Sequence, residues 1–369
     1  MQKKNLKILI SGGGTGGHIF PAISIANALK SKYPNTEILF VGAEGRMEME
    51  KVPAAGYKII GLPVMGLSRK LSPDLIKFVF KTLKSYFKAR KIVKQFKPDV
   101  AVGVGGYASG PALRAASSLG VQCIIQEQNS YPGITNKLLA KKVKKICVAY
   151  DNMEKYFPAN KIIKTGNPIR QEIENLNADK IEARNFFGLE HNIPVILVVG
   201  GSLGAKTINE SIQSGLIKIY EKNIGLIWQT GKTYFETAVK SNPDNLKNIV
   251  ITDFIYKMDY AFAAADIIIS RAGAGTISEL CVVGKPVILV PSPNVAEDHQ
   301  TKNAMALVEK NAAILIKDKE ASEKLVDVAL ELTENQEMKK MLSENIKKLA
   351  VRNSAEIIAD EIYSLVYGK

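Results

Sequence analysis

The stretch Lys7-Ile8-Leu9-Ile10-Ser11-Gly12-Gly13-Gly14-Thr15-Gly16-Gly17-His18 decides how the rest of the chain is read. A short apolar run gives a first strand over residues 7–10. The glycines after it let the backbone turn with positive φ and bring its N–H groups close to an anion. A helical pattern over residues 21–30 follows, and a helix N-terminus adds about 0.3–1 kcal/mol for a nearby anion. Gly12, Gly14 and Gly17 also satisfy Gly-x-Gly-x-x-Gly, with Glu37 about 20 residues on. On its own that match is weak, and dinucleotide binding or a merely tight turn stays open. It is not a Walker A loop, because His18 stands where the lysine would be.

Working outward, three more small-residue turns sit between a strand and a helix pattern: residues 103–111, 200–205 and 270–276. Strand candidates are residues 7–10, 37–41, 100–104, 121–126 and 145–149 in the first half. In the second half they are 195–199, 225–229, 249–252, 266–270 and 286–290. Short β-rich runs alternating with longer helical patterns read as a doubly wound α/β sheet, here twice in tandem. We place the domains at 1–168 and 169–369, with the last helix expected to pack back on the first domain. Ligands bind such sheets at the carboxyl ends of the strands. Four turns there, in both halves, predict a cleft that takes a phosphate-bearing ligand from two sides, where a dehydrogenase normally needs one turn in one domain.

With 369 residues the chain suits two domains, and its composition (46% hydrophobic, 23% charged) is that of an ordinary globular protein. No apolar run approaches the roughly 18 residues that span a bilayer. Three scattered cysteines without metal spacing fit a reducing cytoplasm and no structural zinc. The net charge of +14 divides unevenly: residues 1–168 carry 27 Lys/Arg against 9 Asp/Glu, and the remainder 23 against 27. Only the first half is therefore expected to face a polyanion, such as nucleic acid or an anionic membrane.

In order along the chain, Gly12-Gly13-Gly14-Thr15-Gly16-Gly17-His18, residues 103–111, Gln126-Glu127-Gln128-Asn129, Gly166-Asn167-Pro168-Ile169-Arg170, residues 200–205 and His299-Gln300 form a specific set. The set closely resembles the MurG family, the bacterial peptidoglycan enzymes that move N-acetylglucosamine from its UDP derivative to undecaprenyl-pyrophosphoryl-N-acetylmuramoyl-pentapeptide, converting lipid I to lipid II. The resemblance implies the GT-B fold, two Rossmann-like domains facing across a cleft, and inversion at the anomeric carbon. It implies no cofactor, and a peripheral place on the cytoplasmic side of the cell membrane. It also implies that Ser202 sits on the pyrophosphate, Arg170 lies near the donor, Ile255 packs by the uracil and Glu279 accepts both ribose hydroxyls. Gln300, Asn129 and the Thr15, Gly16 and Gly17 backbone would contact the sugar. Gly105, Gly106 and Tyr107, in the second turn, would face the acceptor. Leu203 and His299 stand where some members have glutamine.

Inverting transfer needs a base for the acceptor hydroxyl and relief for the charge growing on the departing UDP. The chain has no Asp-x-Asp, so loop amides, a helix N-terminus and Arg170 are expected to meet that charge without a metal. His18 leads as base, since the dipole at a helix start disfavours imidazolium; a substrate hydrogen bond or a turn cap is its other reading. Glu127 is a second, weaker base candidate, equally read as a partner of nearby amides.

From residue 75 to 98 there are eight basic residues and no acidic one. Lys77, Lys81, Lys84, Lys88 and Lys91 recur at helical steps, interleaved with Ile76, Val79, Phe80, Leu83, Tyr86 and Phe87. With Lys137, Lys141, Lys142, Lys144 and Lys145 they are expected to meet anionic membrane lipid, at about 1 kcal/mol per cation. The other reading makes the apolar residues core and the lysines a solvated face. Three rival functions remain: a UDP-N-acetylglucosamine epimerase, which needs no lipid-facing helix, an NAD-dependent dehydrogenase, and a nucleic-acid-binding protein. For the last, no recognisable motif is present.

Overall fold

The computed structural model describes residues 5–65, 74–201, 203–242 and 244–368. The chain divides into two compact units, Met1–Arg170 with Arg352–Lys369, and Gln171–Val351. The first holds β1 (Lys7–Ser11), β2 (Glu37–Ala43), β3 (Lys58–Leu62), β4 (Val100–Gly103), β5 (Gln122–Glu127), β6 (Lys145–Val148) and β7 (Ile162–Lys164). They form one parallel sheet in the order β3-β2-β1-β4-β5-β6-β7. Parallel strands are covered on both faces and read as unbroken apolar runs, with successive side chains sent to opposite sides. Leu9 accordingly packs with Ile92, Val93 and Leu113 on one face, while Ile8 and Ile10 pack with Ile25, Leu29, Ile358 and Ile362 on the other. The last two come from the terminal helix Ser354–Tyr367, which returns to the first unit.

The second unit holds β8 (Val195–Val199), β9 (Gly225–Gln229), β10 (Ile249–Thr252), β11 (Ile267–Ser270), β12 (Val287–Leu289) and β13 (Ile314–Leu315). They too are parallel, ordered β10-β9-β8-β11-β12-β13. Trp228 lies at the centre of the core, fully buried, and its indole N–H donates to Asn209 Oδ1 at 3.0 Å.

Strand order reverses between β1 and β4 in one sheet and between β8 and β11 in the other, and ligands favour such switch points. All four glycine turns seen in the sequence lie there, after β1, β4, β8 and β11.

Three strands go beyond the sequence expectation: β3, β7 and β13. The helix after the first turn begins at Gly16 and runs to Lys32, five residues ahead of the expected start. Here Pro21 sits inside the helix, Thr15 is the extended N-cap residue, and His18 belongs to the first turn.

Candidate functional site

At the first switch point the His18 imidazole lies against Gly105. A Cβ on that glycine, whose φ is +89°, would stand 2.8 Å from His18 Nε2 and 2.7 Å from Cδ2. No side chain fits there, so the β4 turn is glycine because the histidine occupies the space. His18 Nδ1 is 3.2 Å from the Gly13 carbonyl oxygen and 3.2 Å from Thr15 Oγ1. Gly106, at φ +84°, lets the β4 turn lie against the β1 turn, because a Cβ there would be 2.2 Å from Gly13 O. Thr15 and Gly17 are exposed, Gly16 is half-buried, and Tyr107 is 55% exposed beside the glycine pair.

Sequence reasoning passed over Glu48, a fully buried carboxylate at the start of the short helix Glu48–Ala54. Its Oε2 accepts the Gly14 N–H at 3.0 Å and its Oε1 the Ala43 N–H at 2.9 Å. It therefore ties the glycine turn to the end of β2. Its partners are backbone amides, which leave no residue-type signature for a sequence reader.

Glu127, at the end of β5, is 1% exposed. Its Oε1 accepts from the Asn129 N–H at 3.0 Å and Asn129 Nδ2 at 3.2 Å; its Oε2 accepts from the Gly133 N–H at 3.1 Å and Asn136 Nδ2 at 2.9 Å. Burial pushes its carboxyl up from the ordinary range, against the downward pull of those donors. Both oxygens are thus engaged by amides, and Asn129 is brought to this network by its own side chain. Gln126, Gln128 and Asn167 form an adjoining set, with Gln126 Nε2 donating to Asn167 Oδ1 at 2.8 Å and Gln128 Nε2 to Val104 O at 2.9 Å. Arg170, half-buried, is the last residue of this segment of the first unit.

In the second unit the turn after β8 is shaped by glycines. Gly204, at φ +77°, could not carry a Cβ, which would stand 2.0 Å from Thr230 O. Gln229 Nε2 donates to Gly201 O and Asp253 O, both at 3.0 Å, anchoring this turn. Ser202 lies outside the described residues. Gln300 acts on the turn after β11: its Oε1 accepts the Ala272 N–H at 3.2 Å and the Ser292 N–H at 2.8 Å. That leaves the Nε2 end of the amide to donate elsewhere. Arg271 donates to Val290 O at 3.0 Å and pairs with Asp318. Glu279 is half-buried on the helix Ala274–Val283, whose N-cap residue Gly273 offers no side-chain cap. Ile255 is buried, while its chain neighbours Phe254 and Tyr256 are exposed and pair with each other, ring centroids 5.0 Å apart.

On the helix Asp74–Phe96 the core-facing residues are Ser85, Ala89, Ile92 and Val93. Phe80, Leu83 and Phe87 point outward, at 69, 49 and 64% exposure, beside exposed Lys81 and Lys84. The single apolar face expected from the sequence is therefore two: Tyr86 packs on the core, whereas these three do not. The side chains of Ile76, Lys77 and Val79 lie outside what the structure describes. Lys88 pairs with Glu44 at 2.7 Å and Lys145 with Glu361 at 2.5 Å, so those two cations serve the fold. Among the described residues no helix is long and apolar enough to cross a membrane, and no three His, Cys, Asp or Glu side chains are grouped as metal ligands.

Residues 8–148 match the glycosyltransferase family 28 N-terminal domain, and residues 195–358 the family's C-terminal domain. Over 99% of its length the chain is 58% identical to the UDP-N-acetylglucosamine–N-acetylmuramyl-(pentapeptide) pyrophosphoryl-undecaprenol N-acetylglucosamine transferase of Parabacteroides distasonis, covering 100% of that protein. It is 59% identical to the protein of the same name from Phocaeicola vulgatus, over 98% of this chain and 97% of that one. Among solved structures it resembles Acinetobacter baumannii MurG, with a TM-score of 0.79 and 29% identity over 97% of this chain and 99% of that one. A UDP-GlcNAc 2-epimerase from Neisseria meningitidis, at 17% identity and a TM-score of 0.67 over 97% of this chain and 100% of that one, shares the fold.

Proposed function

The chain belongs to glycosyltransferase family 28, with the GT-B fold, and on that premise we propose how its residues carry the reaction. It is the transferase that moves N-acetylglucosamine from UDP-N-acetylglucosamine to the muramoyl sugar of lipid I, giving lipid II for peptidoglycan synthesis. The epimerase reading rests on fold likeness alone.

The 4-hydroxyl of the muramoyl sugar attacks the anomeric carbon of the donor from the face opposite the leaving group. The new C–O bond forms as the bond to the β-phosphate oxygen breaks, which inverts the configuration. The hydroxyl proton passes to His18 Nε2, and UDP departs with the electron pair. Negative charge growing on UDP is met by amides of the turn after β8, by Ser202, by the N-terminus of the helix Ala274–Val283 and by Arg170, without a metal. Glu279 takes the ribose hydroxyls, Ile255 flanks the uracil, and Gln300 Nε2 donates to the sugar, its oxygen being held by two backbone amides. Thr15, Gly16, Gly17 and Asn129 also contact the sugar. Glu127 holds the Asn129 and Gly133 segment in shape, its oxygens being taken up by N–H donors. Gly105, Gly106 and Tyr107 receive the acceptor. Phe80 and Phe87, with Lys77, Lys81 and Lys84, rest the first unit on anionic lipid as a peripheral protein on the cytoplasmic face of the cell membrane. Cell-wall growth, cell shape and division depend on the product.

The observation that carries the mechanism is the His18 ring seated on Gly105, with Nδ1 at the Gly13 carbonyl and Nε2 at the β1/β4 switch point. Labelled UDP-N-acetylglucosamine and a lipid I analogue should give a disaccharide product with stoichiometric UDP. A His18→Ala variant is expected to lose about 10²–10⁴ in turnover, as for removal of a general base, with donor affinity unchanged. Unaltered turnover in that variant removes His18 from the mechanism, and UDP release without any acceptor would return the epimerase reading.

A further inference from the structure

One peptide group joins two of the features described above. The carbonyl of Gly13 faces His18 Nδ1 at 3.2 Å, and the N–H on the other side of that same peptide bond, Gly14's, donates to Glu48 Oε2 at 3.0 Å. We propose that Glu48 is a positioning residue for His18, acting through the Gly13–Gly14 peptide as a carboxylate does directly in a Ser-His-Asp triad. The proposal deepens the catalytic reading above and rests on His18 being the base.

A carbonyl oxygen only accepts. At 3.2 Å from Nδ1 it makes a hydrogen bond if that nitrogen carries the proton, and sets lone pair against lone pair if it does not. The geometry thus selects the Nδ1–H tautomer, which puts the accepting lone pair on Nε2, the nitrogen lying over Gly105. Thr15 Oγ1, also 3.2 Å from Nδ1, is a second oxygen able to accept from the same N–H. A carboxylate bonded to the amide N–H draws charge through the peptide and makes its carbonyl a stronger acceptor, the usual cooperativity of linked hydrogen bonds. Glu48 therefore strengthens the bond that fixes the ring.

The glycines around this line support a built arrangement. A Cβ on Gly13, at φ +153°, would stand 2.0 Å from Glu48 Oε1; one on Gly42 would be 2.6 Å from Glu48 Cγ; one on Gly106 would be 2.2 Å from Gly13 O. Three glycines from three strand ends make room for one carboxylate and one peptide. The second oxygen of Glu48 accepts the Ala43 N–H, so the carboxylate is held from the sheet side as well. A neutral amide in its place has a single oxygen for two N–H donors and sets its own NH₂ against the other.

The tautomer is read on the wild-type protein by long-range ¹H–¹⁵N spectra of the imidazoles, the signals of His18 being assigned by loss in His18→Ala. The expected result is a protonated Nδ1 in neutral His18; a neutral ring protonated at Nε2 overturns the proposal, whatever any variant does. In Glu48→Gln, once circular dichroism shows a folded chain, the His18 signals should move toward a tautomer mixture. Its kcat should fall at least about tenfold, with KM for UDP-N-acetylglucosamine within about twofold. In a His18→Ala background the same substitution should lower kcat no further, because the effect runs through the ring. An equal loss in both backgrounds, or a folded Glu48→Gln with wild-type kcat and an unmoved tautomer, sinks the idea. Should His18→Ala leave turnover intact, the base assignment falls, while the imidazole spectra still judge the Glu48–peptide–His18 linkage separately.

Discussion

Asp266 shows how a single carboxylate secures the amino ends of two neighbouring strands, away from the chemistry. It precedes β11, and its Oδ2 accepts the Val195 N–H, at the start of β8, at 2.9 Å and Arg184 Nη2 at 2.7 Å, while Oδ1 accepts Lys180 Nζ at 2.6 Å. Arg184 is 2% exposed and also donates to Ala264 O and His191 O. Burial works to raise the Asp266 carboxyl. The Lys180 and Val195 hydrogen bonds and the two cations outweigh it and hold the group below the ordinary carboxylate range. A folded-state pKa depressed in this way contributes stability that is whole above the unfolded value of about 4 and is lost as pH falls through the folded one. Asp266→Asn should therefore cost about 3 kcal/mol at neutral pH, since it leaves a buried guanidinium without its counter-charge. In urea melts the gap from wild type should narrow steadily below about pH 4, with the KM for donor untouched; a gap independent of pH refutes the charge argument. Glu48 and Asp266 also mark what a sequence reader misses at this scale. Gly105 and His18 announced themselves by residue type and spacing, but a carboxylate whose value comes from amides 34 or 71 residues away does not.

At the scale of elements, ten strand runs were legible: nine are central strands of a parallel sheet, each a largely apolar stretch, and the tenth is the edge strand β10, whose Ile-Val-Ile-Thr is β-rich throughout. The three that were not, β3, β7 and β13, lie at sheet edges, and two of them span only three and two residues. Edge strands are covered on fewer sides, so their sequence carries less of the pattern, and β3 is only partly buried over Lys58–Ile60. The helix Asp74–Phe96 illustrates the opposite error, a pattern read as one face that the fold divides between core and solvent. Ala89, Ile92 and Val93 dock it to the sheet, which frees Phe80 and Phe87 to stay outside with Lys81 and Lys84. Large exposed aromatics flanked by cations suit the headgroup boundary of a bilayer. Lys81→Gln with Lys84→Gln should lower partition onto anionic vesicles by roughly thirtyfold, at about 1 kcal/mol per charge, and flotation at low and high salt measures it. Binding to neutral vesicles should be weak in both proteins. If the double variant floats as wild type does, this helix is not the contact.

For the whole molecule, the chain order and the domain order part company at the terminus. The helix Ser354–Tyr367 follows the second unit in sequence but completes the core of the first, where Ile358 and Ile362 are fully buried against Ile25, Leu29 and the β1 side chains. Tyr33 and Tyr363 stack at 4.1 Å, Lys32 pairs with Asp360 at 2.6 Å, and Tyr33 Oη donates to Asp360 Oδ1 at 2.9 Å. The second unit keeps a core of its own, with Trp228 in it, and Trp228 is the sole tryptophan of the chain. Tryptophan fluorescence therefore reports one unit, whereas far-ultraviolet circular dichroism reports both. Ile362→Ala removes buried methylenes from the first unit alone and should cost about 2–5 kcal/mol there, the usual range for such a truncation. On denaturant titration the dichroism should acquire an earlier transition while the Trp228 midpoint holds its place. A Trp228 midpoint that falls in step with the dichroism would mean that the terminal helix stabilises both units, and that the two cores unfold as a single cooperative block.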